Sequence, residues 1–403
     1  MNRNLLHTPE GVRDIYGGEF AGKLKLEELI HGKLKSFGYQ DIQTPSFEFF
    51  DVFSREIGTT PSKELYKFFD KEGNTLVLRP DFTPSMARCA AKYFMEETFP
   101  IRFCYAGNTF TNISSLQGKL CEVTQMGAEL IGDGSVEADA EMIAMLIECL
   151  KSTGLQQFQV TVGQADYFRG LCEAAGLPEE TELALRENVS GKNIFGVEDL
   201  LKEQQIEEEY REAFLKITEL FGTAEVLDKA EALVSNGRSM RAVERLKQLY
   251  ELLTVYGVQR YVSFDFGMLS KYHYYTGVTF RAYTYGVGDA IVKGGRYDNL
   301  LGTFGKDAPA VGFVVVLDDL MTAMASQKIV LSVEGKHAIV VYEKAAFEKA
   351  LLRANELRGD GVCVELIQSD EGKTEKDYRK LAERRGYLLE YFGVDDGGTL
   401  AGR

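Results

Sequence analysis

The sequence predicts an α+β protein: an antiparallel sheet flanked by helices, with a helical insertion and a small C-terminal α/β domain. Two observations carry this. Strand-like segments lie on both sides of a charged helical block at residues 167–253, so one sheet is assembled from pieces far apart in the chain, which fits α+β and not a doubly wound order. From about residue 336 the pattern becomes strand, helix, strand, helix, strand, the signature of a separate small unit.

The elements follow in order. Residues 24–37 place Leu24, Leu26, Leu29, Ile30 and Leu34 at helical spacing, and Gly38 ends that helix. Residues 41–50 are extended, and Pro45 confines them to an edge or a bend. Residues 67–79 form a hairpin that turns at Glu72, Gly73 and Asn74. A helix is expected over 82–95, and strands over 101–111 and 120–131 around a polar loop. Residues 136–151 form an amphipathic helix with Ala140, Ile143, Ala144 and Ile147 in register. Phe158, Val160 and Val162 alternate as a half-buried strand. In the helical block, the run Glu207, Glu208, Glu209 reads as a solvated face. Strands resume at 262–266, 278–285 and 289–292, followed by a Gly-Gly-Arg-Tyr-Asp turn at 294–298. The expected domains are a core at 1–330 and a terminal α/β domain at 336–403.

Composition narrows the function classes. No apolar run reaches the roughly 18 residues of a membrane span, and the first ten residues lack a signal-peptide core. The six cysteines show no C-x-x-C spacing, which points to reduced thiols in a cytoplasm and to neither a zinc site nor a disulfide frame. The net charge of −15 gives no general attraction for phosphate backbones, so tRNA binding is not expected. Four histidines without paired spacing make no metal or triad case, and no cofactor is expected. Gly372-Lys373-Thr374 lies between strand and helix, but Ile367 occupies the first glycine of a P-loop. The acidic pair in 394–399 has no helix after it to supply a phosphate site, so a flexible tail is expected there.

Several segments resemble histidyl-tRNA synthetases, which are class II aminoacyl-tRNA synthetases. They run from Thr8-Pro9-Glu10-Gly11-Val12-Arg13-Asp14 to about Phe392. Phe37-Gly38-Tyr39 through Pro45 is similar to the first class II motif, which implies a homodimer through the core. Leu78-Arg79-Pro80-Asp81-Phe82-Thr83 resembles Leu-Arg-Pro-Glu-Gly-Thr, whose acid and threonine hold the α-amino group of histidine. An ammonium in a dry pocket needs a carboxylate and acceptor oxygens. Asp81 also suits a helix N-cap, and both roles stay open. Glu122 to Glu129 resembles a strand whose Gln125 and Glu129 share one face because their spacing is even. Tyr272-His273-Tyr274-Tyr275-Thr276-Gly277 resembles the element that closes over the imidazole. The resemblance therefore implies a histidine pocket built from Asp81, Thr83, Gln125, Glu129, Tyr274 and Tyr275.

The positions that handle ATP depart from that family. Tyr105-Ala106-Gly107-Asn108-Thr109-Phe110-Thr111-Asn112-Ile113 puts Thr111 where an arginine meets the α-phosphate, and Ile113 where a glutamate stands. Cys121 matches a second loop arginine. Ser270 matches the arginine that assists activation, with Lys271 beside it as a point charge. Leu317-Asp318-Asp319-Leu320 stands for Leu-Glu-Arg-Leu, so Asp319 replaces the arginine on the phosphates. A charge-assisted bond contributes about 1.5–3 kcal/mol, and the loss of several removes transition-state stabilisation. Catalytic residues are therefore none.

This pattern, with Arg-Pro-Asp-Phe-Thr-Pro, is most similar to a paralogous family, the regulatory subunits of ATP phosphoribosyltransferase. The resemblance implies a non-catalytic chain that pairs with a short catalytic subunit in a hetero-octamer. It implies that the chain is needed for activity in the first step of histidine biosynthesis, and that histidine is its feedback effector. A truncated anticodon-binding-like domain at 336–403 fits. The alternatives are a working histidyl-tRNA synthetase and a tRNA-binding pseudo-synthetase.

Overall fold

The computed structural model describes residues 6–53, 60–113, 118–204, 206–269, 275–332, 335–394 and 400–402. The chain divides into two compact units, Met1–Leu331 and Ser332–Arg403.

The first unit opens with α1 (Gly17–Ser36), β1 (Gln40–Asp41), β2 (Phe47–Phe49), β3 (Lys67–Phe69), β4 (Thr75–Leu78) and α2 (Thr83–Tyr93). It continues with β5 (Ile101–Phe110), β6 (Glu122–Ile131), α3 (Val136–Ser152) and β7 (Phe158–Gln164). The insertion contains α4 (Ala165–Ala174), α5 (Glu179–Ser190), α6 (Ile194–Glu203), α7 (Glu208–Ile217), β8 (Phe221–Gly222), α8 (Glu225–Ala232) and α9 (Gly237–Val255). Strands β9 (Val262–Asp265), β10 (Val278–Thr284), β11 (Val292–Arg296) and β12 (Ala310–Val316), then α10 (Leu317–Ser326), complete it.

Among the described residues, nine strands form the main sheet, in the order β1-β5-β6-β12-β11-β10-β7-β9-β8. Its centre is antiparallel, and parallel pairs stand near its flanks, β1 with β5 and β7 with β9. Strands β2, β4 and β3 form a separate antiparallel sheet.

Strand alternation decides which face is covered. Met126, Ala128 and Leu130 on β6 and Val311, Phe313 and Val315 on β12 point into the main core. There they meet Leu26, Ile30 and Leu34 of α1, Ile143 and Ile147 of α3, and Val243, Leu246 and Leu249 of α9. The intervening residues Gln125 and Glu129 on β6 and Gly312, Val314 and Val316 on β12 line an open cleft on the opposite face.

One stretch departs from the sequence expectation. The Gly-Gly-Arg segment expected as a turn is strand β11, paired with β10 and β12, and the strand placed at 289–292 begins only at Val292. Gly294 is needed for space and not for a turn. A Cβ there would sit 2.6 Å from the Gly312 carbonyl oxygen and would overlap the Phe280 ring.

A buried ion cluster links three elements. Asp139 of α3 is fully buried and accepts from Arg296 Nε at the end of β11 and from Arg245 Nε of α9, each at 2.8 Å. Arg296 also donates to the Asp133 carbonyl at 3.0 Å and to Asp298 at 3.1 Å.

The second unit contains β13 (His337–Tyr342), α11 (Phe347–Gly359), β14 (Cys363–Gln368), α12 (Glu375–Arg385), β15 (Leu388–Val394) and β16 (Leu400–Gly402), with sheet order β14-β13-β15-β16. Ala338 and Val340 pack on α11, and Ile339 and Val341 pack on α12, so the helices cover opposite faces. Thr374 forms a capping box with Asp377 at the start of α12. Leu400–Gly402 pairs antiparallel with Phe392, Gly393 and Val394. Residues 395–399, the acidic-pair loop, lie outside the described residues.

Removing one member of a buried ion pair leaves an uncompensated charge and costs about 3–5 kcal/mol. Asp139→Ala is expected to destabilise the first unit on that scale, read as a lowered denaturation midpoint, while the surface substitution Glu251→Ala leaves the midpoint unchanged.

Candidate functional site

The cleft on the uncovered face has a volume of about 1240 Å³. Glu129 forms its floor and is 1% exposed. Three hydroxyls converge on this carboxyl. Tyr105 of β5 donates at 3.2 Å, Thr83 at the start of α2 donates at 3.3 Å, and Tyr297, just past β11, donates to the other oxygen. Burial pushes the carboxyl up to about 8, against the lowering pull of the hydroxyl donors, and nearby Asp81 adds to the rise.

Glycines make room for this group. A Cβ on Gly312 would overlap Glu129 itself, and one on Gly127 would sit 2.5 Å from the Tyr105 hydroxyl. A Cβ on Gly295 would sit 2.7 Å from the Tyr275 ring, so that glycine allows Tyr275 to stand against the sheet.

Asp81, Thr83, Gln125, Glu129 and Tyr275 all line the cleft. Asp81 also accepts the Thr83 backbone N–H at 2.6 Å, which orients the first turn of α2. Tyr274 and Ser270 lie outside the described residues. Phe82 stacks on Tyr105 with ring centroids 4.3 Å apart, and the Arg79 guanidinium stands 4.0 Å from the Phe82 centroid. Arg79 in turn donates to the carbonyls of Asn108, Thr44 and Pro45. The residue that narrows this corner is thus held rigidly in the wall.

The other end of the cleft holds Thr111, Ile113, Lys119, Asp289, Lys293 and Asp319. Lys293 is paired with Asp289 at 3.0 Å. Burial and Asp289 push the Asp319 carboxyl above its usual range, against Lys293 and Lys119. The two acids at the start of α10 do different work. Both line the cleft, but Asp318 also accepts the Thr124 N–H at 2.6 Å and lies 3.7 Å from buried Lys23 of α1. Cys121 does not line the cleft. It is packed under Gly11, whose carbonyl accepts the Cys121 N–H at 2.7 Å. Lys119 takes the cleft position in that loop.

Sequence reasoning named neither Tyr105 nor Tyr297 as site residues, although both stand inside motifs it used. Their signal was the buried carboxyl itself, because a buried Glu129 requires donors and the nearest tyrosines across the sheet are the candidates. Chemically, the floor presents a carboxyl, hydroxyls and an amide to a small cationic, polar ligand. The far end sets Asp289 and Asp319 against Lys119 and Lys293, and Lys293 is already paired with Asp289, so this end offers little spare positive charge to a triphosphate.

Burial shifts Glu129 toward its protonated form near neutral pH. A carboxyl raised in the folded state contributes stability that is fully present below its unfolded value of 4.5 and is lost as pH rises through about 8. Glu129→Gln is expected to flatten this fall, and thermal melts of both proteins across that window measure it.

Comparison with known proteins places these features. Residues 11–320 match the family model described as histidyl-tRNA synthetase. A protein of Ruminiclostridium cellulolyticum called ATP phosphoribosyltransferase regulatory subunit is 41% identical over 92% of this chain and 89% of its own length. One of the same description from Acetivibrio thermocellus is 39% identical over 95% and 92%. The crystal structure of an ATP phosphoribosyltransferase regulatory subunit/histidyl-tRNA synthetase from Bacillus halodurans superposes with a TM-score of 0.86 at 29% identity, covering 96% of this chain and 98% of that one.

Proposed function

The chain belongs to the histidyl-tRNA synthetase-like family of ATP phosphoribosyltransferase regulatory subunits, and from that premise we propose that it is the non-catalytic partner required by the short catalytic subunit for the first step of histidine biosynthesis. Histidine is its feedback effector, taken up in the cleft that Asp81, Thr83, Gln125, Glu129, Tyr274 and Tyr275 are proposed to form. The proposed assembly is a hetero-octamer with the catalytic subunit, built on a homodimer of the class II core.

One observation carries the reading. The same cleft keeps a carboxyl-and-hydroxyl floor at Glu129 and has lost cationic partners for phosphate at Thr111 and Asp319. The α-ammonium of an amino acid finds acceptors at Asp81 and the Glu129 carboxyl. As it binds, the ammonium favours the ionised form of Glu129, so uptake releases a proton near neutral pH.

Mixing the catalytic subunit from the same organism with this protein is expected to raise phosphoribosyl transfer, and histidine is expected to lower it again. Glu129→Ala is expected to keep the activation and to lose at least tenfold in histidine affinity, read by calorimetry and by the inhibition curve. Activation absent on mixing removes the regulatory reading. Unchanged inhibition in Glu129→Ala removes only the assignment of the pocket. Histidine-dependent ATP–pyrophosphate exchange is expected to be absent, and its presence would revive the synthetase alternative. Salt-sensitive tRNA binding would support the pseudo-synthetase alternative.

A further inference from the structure

A second constellation lies outside the cleft, where α1, β1 and β5 meet. Strands β1 and β5 run parallel with Asp41 opposite Cys104, and the Ile42 N–H bonds to the Cys104 carbonyl at 3.0 Å. Gly38, at φ +84°, reverses the chain after α1 and brings β1 back beside that helix. His31 of α1 thereby reaches Asp41, with Nε2 2.5 Å from Oδ1, and the Cys104 thiol stands 3.4 Å from the same oxygen. The three donor atoms lie within 4.8 Å of one another. Lys35, one turn beyond His31, holds the other oxygen of Asp41 at 2.9 Å.

We propose that His31, Asp41 and Cys104 bind a single thiophilic divalent cation of the zinc class. Three features point there. The donor set is one imidazole nitrogen, one carboxylate oxygen and one sulfur, which selects zinc or cobalt over magnesium or calcium. Metal bonds of about 2.0–2.3 Å put tetrahedral ligand atoms about 3.3–3.5 Å apart, so the 3.4 Å spacing of Cys104 and Asp41 fits and the 2.5 Å His31–Asp41 hydrogen bond opens as the ion enters. The three residues come from three elements fixed by strand pairing and helix packing, so the arrangement does not depend on a loop.

Without the metal, the trio is a hydrogen-bonded cluster in which Asp41 accepts from both neighbours. Burial and the Asp41 carboxylate keep the Cys104 thiol protonated, with its pKa pushed up to about 12. Binding replaces that thiol proton, which leaves to solvent as the sulfur–metal bond forms, and the imidazole binds in its neutral form. His31 and Asp41 are exposed in the single chain, which is where the ion enters, and water completes its coordination. Lys35 stays on the second carboxylate oxygen and orients the group, and its charge weakens the affinity without occupying the ligand position.

The test is a titration of the full chain, fully reduced, with cobalt(II) followed by competition with zinc(II). Cobalt is expected to bind with one-to-one stoichiometry and to give a thiolate-to-cobalt charge-transfer band that zinc abolishes. His31→Asn changes only an exposed side chain and is expected to weaken cobalt binding at least tenfold with an unchanged melting curve. Cys104→Ser is expected to remove the charge-transfer band. The proposal is overturned if no such band appears, if it survives Cys104→Ser, or if His31→Asn binds as the parent does.

Discussion

Burying Asp139 between two arginines is the constraint on which the first unit turns. A carboxylate taken out of water is tolerable only when its partners and their remaining hydrogen bonds are in place. Here those partners come from β11 and α9, at opposite ends of a long sequence interval, while Asp139 itself sits on α3. The helix over the sheet, the strand in its middle and the long helix of the insertion must therefore assemble together. Arg296 is followed directly by Tyr297, whose hydroxyl reaches Glu129. The ion cluster on one face of the sheet fixes the residue that shapes the pocket floor on the other.

Glu129 depends on that support because, among the described residues, the side chains that hydrogen-bond it carry no positive charge. Its hydrogen-bonding neighbours are hydroxyls, which stabilise a carboxylate less than a cation does, so desolvation wins and the proton stays. An ammonium placed beside Glu129 supplies the missing charge. On the proposed reading, amine uptake is therefore coupled to the protonation state of this one buried group.

Much of this was legible in the sequence, and what was not has identifiable physical causes. Helix and strand periodicity located α1, α3, β5, β6 and the terminal unit, and even spacing put Gln125 and Glu129 on one face. The Gly-Gly-Arg segment was misread because adjacent glycines signal a turn in one dimension. In three dimensions Gly294 and Gly295 give way to the Phe280 and Tyr275 rings on a crowded sheet. The hydroxyl partners of Glu129 come from three separate elements, and cross-strand register decides which tyrosines meet it. Cys121 matches the position of a loop arginine in the family it resembles, and here it packs against Gly11 while Lys119 lines the cleft.

The acidic pair at the start of α10 shows how one scaffold separates binding from activation. Asp318 is structural, since it satisfies the Thr124 backbone and neighbours the buried ammonium of Lys23, so a neutral residue there would leave both without that partner. Asp319 has no such duty and faces the cleft beside Asp289, with one lysine already committed to Asp289. Placing a carboxyl there does two things at once. It repels a triphosphate from the end of the cleft where phosphate would need cations, and it extends the negative potential that draws a cationic amine toward Asp81 and Glu129. Both effects come from the sign of one charge, so poor accommodation of a triphosphate and the proposed uptake of an amino acid are physically compatible in the same cleft.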